Sequence, residues 1–248
     1  MKRTAIAGAR KTLPKRFYQE VAVKEERGGA ASLLLDGKPV RTPGKAPLIL
    51  PTLALAEAVA EEWRVQGERI DPTTMPLTKL ANSAIDGVSG REQAVIDDIL
   101  AFAGADLLCY RAQGPRDLTD AQREQWDPVL AWAKEALEAP LALAEGVVHV
   151  AQPSPSLDRL KETLTGSDAF SLAALHVMTS LTGSALLALA VALGRMTPEE
   201  AWGAAHVDED WQTSQWGEDA EAAARRKNRW RDFEAAARLL ALSQDSSK

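Results

Sequence analysis

The sequence has a single cysteine, Cys109, so the fold cannot depend on disulfide bonds within the chain. Aromatic residues make up only 5% of the 248 residues, and lysine and arginine (29) are outnumbered by aspartate and glutamate (35), which gives a net charge of −6. A dedicated nucleic-acid-binding protein is expected to carry a basic face, so we expect no nucleic-acid partner. Because 46% of the residues are hydrophobic, we expect a globular protein with a substantial core, in a reducing compartment.

The motifs of the common enzyme classes are also missing from the sequence. None of its 16 glycines belongs to a Walker or dinucleotide-binding pattern, and no G-x-S-x-G elbow surrounds a serine. The three histidines, His149, His176 and His206, have no histidine or cysteine partner at a zinc-ligand spacing. We therefore expect no catalytic residues, no cofactor, no metal ion and no small-molecule substrate.

The first part of the chain, residues 17–50, has the pattern of a small antiparallel sheet. Residues 18–26 alternate weakly between polar and apolar side chains, and Asp36-Gly37 separates an apolar run from an extended segment. That dipeptide between two such runs predicts a β-hairpin. Four prolines between residues 39 and 51 keep the following chain extended and exclude a helix there.

From Thr52 onward the pattern becomes helical. Thr52 can cap a helix in which Leu55, Val59 and Trp63 recur at helical spacing until Gly67. Capping boxes predict three further helix starts, at Ser89–Glu92, Thr119–Gln122 and Thr197–Glu200.

This change of pattern predicts an α+β protein, with a small antiparallel β-rich domain followed by a larger all-helical domain. We expect a basic, flexible N-terminus at residues 1–16, a β-rich domain ending in a helix at 17–70, a helical domain at 71–242 and a disordered tail at 243–248. The apolar run at 146–151 is compatible with a strand or a loop.

Residues 169–194 contain no charged side chain, and 26 residues are long enough to cross a bilayer. Against a membrane span, a polar cluster with Gly183 interrupts the middle of this run. We therefore expect two buried helices that meet near Gly183, and no membrane insertion.

Residues 206–219 (HVDEDWQTSQWGED), which we call the acidic-aromatic segment, form the densest polar cluster of the sequence. A single helix begun at Pro198 would place Ala201, Ala205, Asp208 and Gln212 along one side, with Glu209 and Trp216 next to them.

Three interpretations of this segment remain open. It can be a solvated acidic face over tryptophans of the core, or a docking surface that selects a basic partner. The third is a magnesium site of a metal-dependent hydrolase, formed by His206, Asp208 and Asp210.

Seven segments, in this order along residues 15 to 235, resemble the family of ATP synthase assembly chaperones that act on the alpha subunit, the Atp12 family. They are KRFYQEV (15–21), LDGKPVRTP (35–43), LPTLALAEAVAEEW (50–63), MPLTKLANSAID (75–86), DLLCYRA (106–112), WDPVLAW (126–132) and VDEDWQTSQWG (207–217). The resemblance implies a β-rich domain followed by an orthogonal bundle of helices, and no enzymatic activity.

The resemblance also implies a client and a location. Members bind the unassembled alpha subunit of the F-type ATP synthase and shield the surface that the beta subunit later covers. The chain resembles a bacterial, alphaproteobacterial member, so a cytoplasmic location is implied, whereas eukaryotic relatives act in the mitochondrial matrix.

The family has a Q-x-x-x-W-G signature preceded by an acidic position. Gln212, Trp216 and Gly217 match the signature, but the D-E-D run at 208–210 leaves open which acid matches. The partner-binding residues implied in this way, with the neighbouring tryptophan, are Asp208, Glu209, Trp211, Gln212, Trp216 and Gly217.

Overall fold

The computed structural model describes residues 13–146 and 148–244. Its strands are β1 (Val21–Glu25), β2 (Ala31–Leu35), β3 (Lys38–Pro39), β4 (Ile49–Leu50), β5 (Tyr110–Arg111) and β6 (Ala144–Glu145). Its helices are α1 (Leu53–Arg64), α2 (Pro76–Ser83), α3 (Glu92–Ala103), α4 (Arg116–Ala136), α5 (Ser154–Leu164), α6 (Ala169–Thr182), α7 (Ala185–Ala192), α8 (Pro198–Ala205), α9 (Val207–Trp216) and α10 (Ala220–Gln244). A π-helical turn, Ala84–Val88, follows α2. The chain is therefore an α+β protein, as the sequence predicts.

The small sheet has β2 at its centre, paired antiparallel with β1, β3 and β4. The predicted hairpin is confirmed, because Asp36 and Gly37 connect β2 to β3 with φ of 47° and 74°, the signs that a type I′ turn requires. The Asp36 carboxylate also accepts the backbone N–H groups of Gln19 and Glu20, and these hydrogen bonds lower the pKa of Asp36. The turn residue thus joins the start of β1 to the hairpin.

The helix predicted after Thr52 is also confirmed. The Thr52 hydroxyl accepts the N–H of Leu55 at 3.0 Å, which caps α1, and donates to the carbonyl of Leu242 at 2.7 Å. One side chain therefore ties the start of α1 to the last turn of α10.

One of the three predicted capping boxes is present. Thr197 and Glu200 cap α8 reciprocally. The box at Ser89 is wrong, because Gly90 with φ of 78° turns the chain and α3 starts only at Glu92. The box at Thr119 is wrong because α4 has already begun at Arg116, after Pro115.

The uncharged run at 169–194 forms two helices, as predicted. Gly183 has φ of 70° and ends α6, and α7 follows after one residue. Six of the eight residues of α7 are buried, and α6 packs against α3 and α10 as well as against α7. Across the described parts of the chain, no helix is both long and apolar enough to cross a membrane.

One hydrophobic core runs from the sheet into the helical part. Leu33 and Leu50 of the sheet share it with Leu55 of α1 and Leu186 of α7. The predicted division into a β-rich and a helical domain near residue 70 stays a prediction.

The flexible N-terminus predicted at 1–16 and the disordered tail predicted at 243–248 lie mostly outside the described residues, which exclude 1–12 and 245–248. Lys15 forms a β-bridge with Arg69. In the ambiguous run 146–151, the described residues form no strand, and the parallel pair of β5 and β6 ends just before it, at Glu145.

Candidate functional site

The acidic-aromatic segment lies on α9 and on the turn that leads into α10. The single helix predicted from Pro198 is wrong, because the chain breaks at His206, with φ of −119° and ψ of 18°. The imidazole Nδ1 of His206 lies 2.7 Å from the carbonyl of Trp202, and the two rings are 4.0 Å apart. In a continuous helix the backbone N–H of His206 would bond to that carbonyl. Here the imidazole bonds to that carbonyl instead, and the backbone N–H of His206 bonds to the carbonyl of Gly203, so α8 ends and α9 begins as a separate helix.

Asp208 is half-buried against α4, and its carboxylate forms a hydrogen bond within the fold. Its Oδ1 accepts the side-chain N–H of Gln122 at 2.7 Å. The Oε1 of Gln122 in turn accepts the backbone N–H of Ala112 at 2.9 Å, and Gln122 is buried. The carboxylate therefore completes a polar network inside the molecule.

Asp210 is engaged on the opposite side of α9. Both of its carboxylate oxygens bind the guanidinium of Arg226 on α10, and this pairing raises the pKa of Arg226. The pair fixes α9 against the first part of α10 and neutralises the charge of Asp210.

Glu209 is the acid of the D-E-D run that keeps its charge available. Its side chain is 56% exposed and forms no ion pair with a lysine or arginine within the described residues. The imidazole of His206 lies 3.9 Å away, but burial lowers the pKa of His206, so the ring is neutral at pH 7. His206 therefore does not cancel the charge of Glu209.

The two tryptophans of α9 have different environments. Trp211 donates its indole N–H to Asp117 of α4 at 2.7 Å, whereas Trp216 is 75% exposed. The rings meet edge to face, with centroids 5.6 Å apart. Trp211 thus holds an exposed aromatic side chain in place. Trp202, which precedes the segment, is buried, so the interpretation of an acidic face over core tryptophans does not apply to Trp216.

A cleft of about 540 Å³ opens between α9 and the start of α10. Gly217, with φ of 87° and ψ of 170°, reverses the chain at one end of the cleft, in a conformation that favours glycine. The cleft is lined by Glu209, Asp210, Gln212, Thr213, Trp216, Gly217, Glu218, Asp219, Ala222, Ala223, Arg225, Arg226 and Arg229. Four of the six predicted partner-binding residues are thereby brought together, whereas Asp208 and Trp211 support them from the side of α4.

The metal-site hypothesis is wrong. His206 bonds to a backbone carbonyl, Asp208 to Gln122 and Asp210 to Arg226, so the three side chains do not converge. In the part of the chain that the structure describes, no group of three or more histidine, cysteine, aspartate or glutamate side chains can hold a metal ion.

Sequence reasoning missed the supporting residues of this site. Gln122 and Asp117 lie 86 and 94 positions from their partners, and no local pattern connects them to α9. Arg226 belongs to a run of basic residues at 225–231 that follows the acidic segment, and that charge contrast was the available signal.

Comparisons with known proteins agree on one family. The family model described as ATP12 chaperone protein matches residues 15–134. The crystal structure of Atp12 from Paracoccus denitrificans is 43% identical, with a TM-score of 0.88, and the match covers 93% of this chain and 99% of that chain. A candidate chaperone from Agrobacterium tumefaciens is 50% identical, with a TM-score of 0.89 over 93% of this chain and 86% of that chain.

A more distant relative is the mitochondrial protein atp12 of Schizosaccharomyces pombe. It is 24% identical over 215 residues, which cover 82% of this chain and 74% of that protein. The acidic-aromatic segment lies beyond the residues that the family model matches.

Proposed function

The chain belongs to the ATP12 chaperone family and is an ATP synthase assembly chaperone, and we propose that its client is the unassembled alpha subunit of the F-type ATP synthase. The chaperone shields the alpha-subunit surface that the beta subunit later covers, and it is released when the beta subunit takes that place. It carries out this task without catalytic activity, in the bacterial cytoplasm.

The observation that supports a docking role for the acidic-aromatic segment is the pairing of an uncompensated acid with an exposed aromatic ring. Glu209 and Trp216 both line the cleft, and Trp216 is the most exposed large hydrophobic side chain of the described residues. Exposed tryptophans beside charged groups are typical of the few residues that dominate binding energy at protein interfaces.

The charges of the cleft favour a basic client surface. Three arginines line it, but Arg226 is paired with Asp210, Arg225 with Glu221, and Arg229 donates to a backbone carbonyl. Arg229 keeps its charge, whereas Glu209, Glu218 and Asp219 form no ion pair with a lysine or arginine among the described residues. The unpaired charges of the cleft are therefore mainly negative. Complementary charges of this kind select a partner and orient it.

Reversal of the charge of Glu209 tests the proposal. We expect Glu209→Lys to keep the melting temperature of the wild type, because Glu209 is exposed and forms no ion pair with a lysine or arginine within the described residues. Its suppression of alpha-subunit aggregation should be lost, since like charges then face each other at the interface. The matched control is Glu135→Lys, at an exposed acid near the end of α4. Full protection by Glu209→Lys would contradict a client site on this segment.

A further inference from the structure

A second concave surface, which we call the apolar groove, lies where the loop after β3 meets α1 and α2. Its volume is about 600 Å³, within the range of sites that bind ligands. Its lining residues are Pro43, Trp63, Ile70, Pro72, Met75, Thr78, Lys79, Asn82, Ser83, Asp86 and Gly87.

Three of the segments that carry the family resemblance meet at this groove, residues 35–43, 50–63 and 75–86. Asp86 accepts the hydroxyl of Thr42 at 2.6 Å and the backbone N–H of Gly44 at 2.8 Å. A Cβ on Gly44 would lie 2.6 Å from the carboxylate, so Asp86 would have to move if this residue carried a side chain. These contacts hold Pro43 as one wall of the groove.

One residue that lines the groove, Trp63, carries a buried polar group without a partner in the described part of the chain. The indole N–H of Trp63 is buried and donates to no acceptor among the described residues. A buried donor without an acceptor costs free energy on folding.

The apolar groove borders a smaller hollow, and that hollow in turn neighbours the cleft of the acidic-aromatic segment. The smaller hollow is lined by Pro76, Lys79, Leu80, Ser83, Val177, Leu181 and Asp232. It shares Lys79 and Ser83 with the apolar groove. At its other end, Arg229, which lines the cleft, donates to the carbonyl of Leu181 at 2.5 Å.

We infer that the apolar groove, the smaller hollow and the cleft, which together we call the track, form one extended binding surface. A segment of the client places an apolar side chain in the apolar groove, and its basic residues contact the cleft. The inference rests on the proposed function and adds a second contact region, on the N-terminal half of the chain. The exposed ammonium of Lys79 supplies a donor for a main-chain carbonyl of that segment, and Lys79 forms no ion pair within the described residues.

The length of the track fits an extended peptide. Ala223 in the cleft and Asp232 in the smaller hollow are nine residues apart on α10, or about 14 Å along the helix axis. An extended chain spans that distance with about four residues. An extended client segment of a few residues therefore reaches from the cleft to the smaller hollow that borders the apolar groove.

Blocking the groove tests the inference. Ser83 is exposed, and its hydroxyl donates to the carbonyl of Lys79, four residues earlier. Because Ser83 lines both the groove and the smaller hollow, the large side chain of Ser83→Trp occupies space in both and removes no side chain from the core. The matched control is Thr165→Trp, at an exposed residue whose hydroxyl bonds in the same way to Lys161. We expect Ser83→Trp to weaken alpha-subunit binding at least tenfold with an unchanged melting temperature, and Thr165→Trp to bind like the wild type. Equal binding by both variants would overturn the inference.

Photo-crosslinking separates this inference from the proposed function. A benzophenone side chain is introduced at Ser83, at Gln212 in the cleft and at Lys161 as a remote control, each in the full chain mixed with purified alpha subunit. Crosslinks from Ser83 and Gln212 to one apolar and basic client segment support the track. A crosslink from Gln212 alone overturns the track but leaves the proposed function intact. If neither Ser83 nor Gln212 forms a crosslink to the alpha subunit, both the track and the client site on the acidic-aromatic segment are contradicted. If Ser83 forms crosslinks only to a second copy of the chaperone, the client does not occupy the apolar groove.

Discussion

The side-chain amide of Gln122 donates to the carboxylate of Asp208 across 2.7 Å and joins α4 to the first turn of α9. The same amide group accepts the N–H of Ala112 through its oxygen. Both polar ends of one buried side chain are thereby satisfied, by groups 10 and 86 residues away in the sequence. The position of the acidic-aromatic segment thus depends on a residue outside it.

Removal of this link should destabilise the protein. In Gln122→Leu, the N–H of Ala112 and the carboxylate of Asp208 lose their partner in a half-buried place, so we expect the free energy of unfolding to fall by about 1–3 kcal/mol. Urea denaturation measures the change. The control Gln125→Leu alters an exposed residue of the same helix and should change stability by no more than about 0.5 kcal/mol. Equal stability of the two variants would show that the network contributes nothing.

A charge in the uncharged run 169–194 should unfold the chain. Leu186 on α7 has no exposed surface, and an unpaired buried charge costs about 3–5 kcal/mol, out of a total stability of about 5–15 kcal/mol. We expect Leu186→Asp to lower the melting temperature strongly or to prevent folding. The control is Leu193→Asp, just after α7, where the side chain is 52% exposed. A normal melting curve for Leu186→Asp would place this helix outside the core.

Features with a local cause were predictable from the sequence. The Asp36-Gly37 hairpin, the cap at Thr52 and the helix end at Gly183 each follow from the backbone preferences of one or two residues. The same local logic failed at Thr119, since Pro115 starts α4 earlier and the threonine lies inside the helix.

The candidate site was predictable as a segment but not as a geometry. Charge and aromatic composition identified residues 206–219, yet the break at His206 depends on the packing of its ring on Trp202, which no periodicity shows. The different roles of the three acids depend on partners on α4 and α10, such as Gln122 and Arg226. Long-range pairing of this kind leaves no trace in a single sequence.

Asp106 should give the protein a pH-dependent stability. This carboxyl is fully buried between the turn before β5 and the start of α7, and burial raises its pKa from the ordinary value of 3.8 to about 6. Between these values the folded protein holds a proton that the unfolded chain has released. The stabilisation is therefore complete below pH 3.8 and is lost as the pH rises through 6.

The measurement compares the wild type with Asp106→Asn, which carries no titrating group at that position. We expect the free energy of unfolding of the wild type, relative to the variant, to fall by up to about 3 kcal/mol between pH 4 and pH 7. The difference cancels the contributions of the other carboxyl groups. A relative stability that rises with pH would mean that the N–H groups of Leu108 and Leu186 hold Asp106 in its ionised form instead.

Trp216 should dominate the binding energy of the acidic-aromatic segment. Its ring is 75% exposed in the free protein and contacts Trp211 at its edge, so truncation removes little packing from the fold. We expect Trp216→Ala to keep the free energy of unfolding within about 0.5 kcal/mol of the wild type. If the ring is buried against the alpha subunit, the same change should weaken binding by at least about 2 kcal/mol, or roughly thirtyfold in affinity. Titration of alpha subunit against each variant measures this loss, with Leu193→Ala as a control that removes an exposed apolar side chain elsewhere. Unchanged affinity of Trp216→Ala would mean that the exposed ring is not part of the client interface, and that Glu209 acts without an aromatic neighbour.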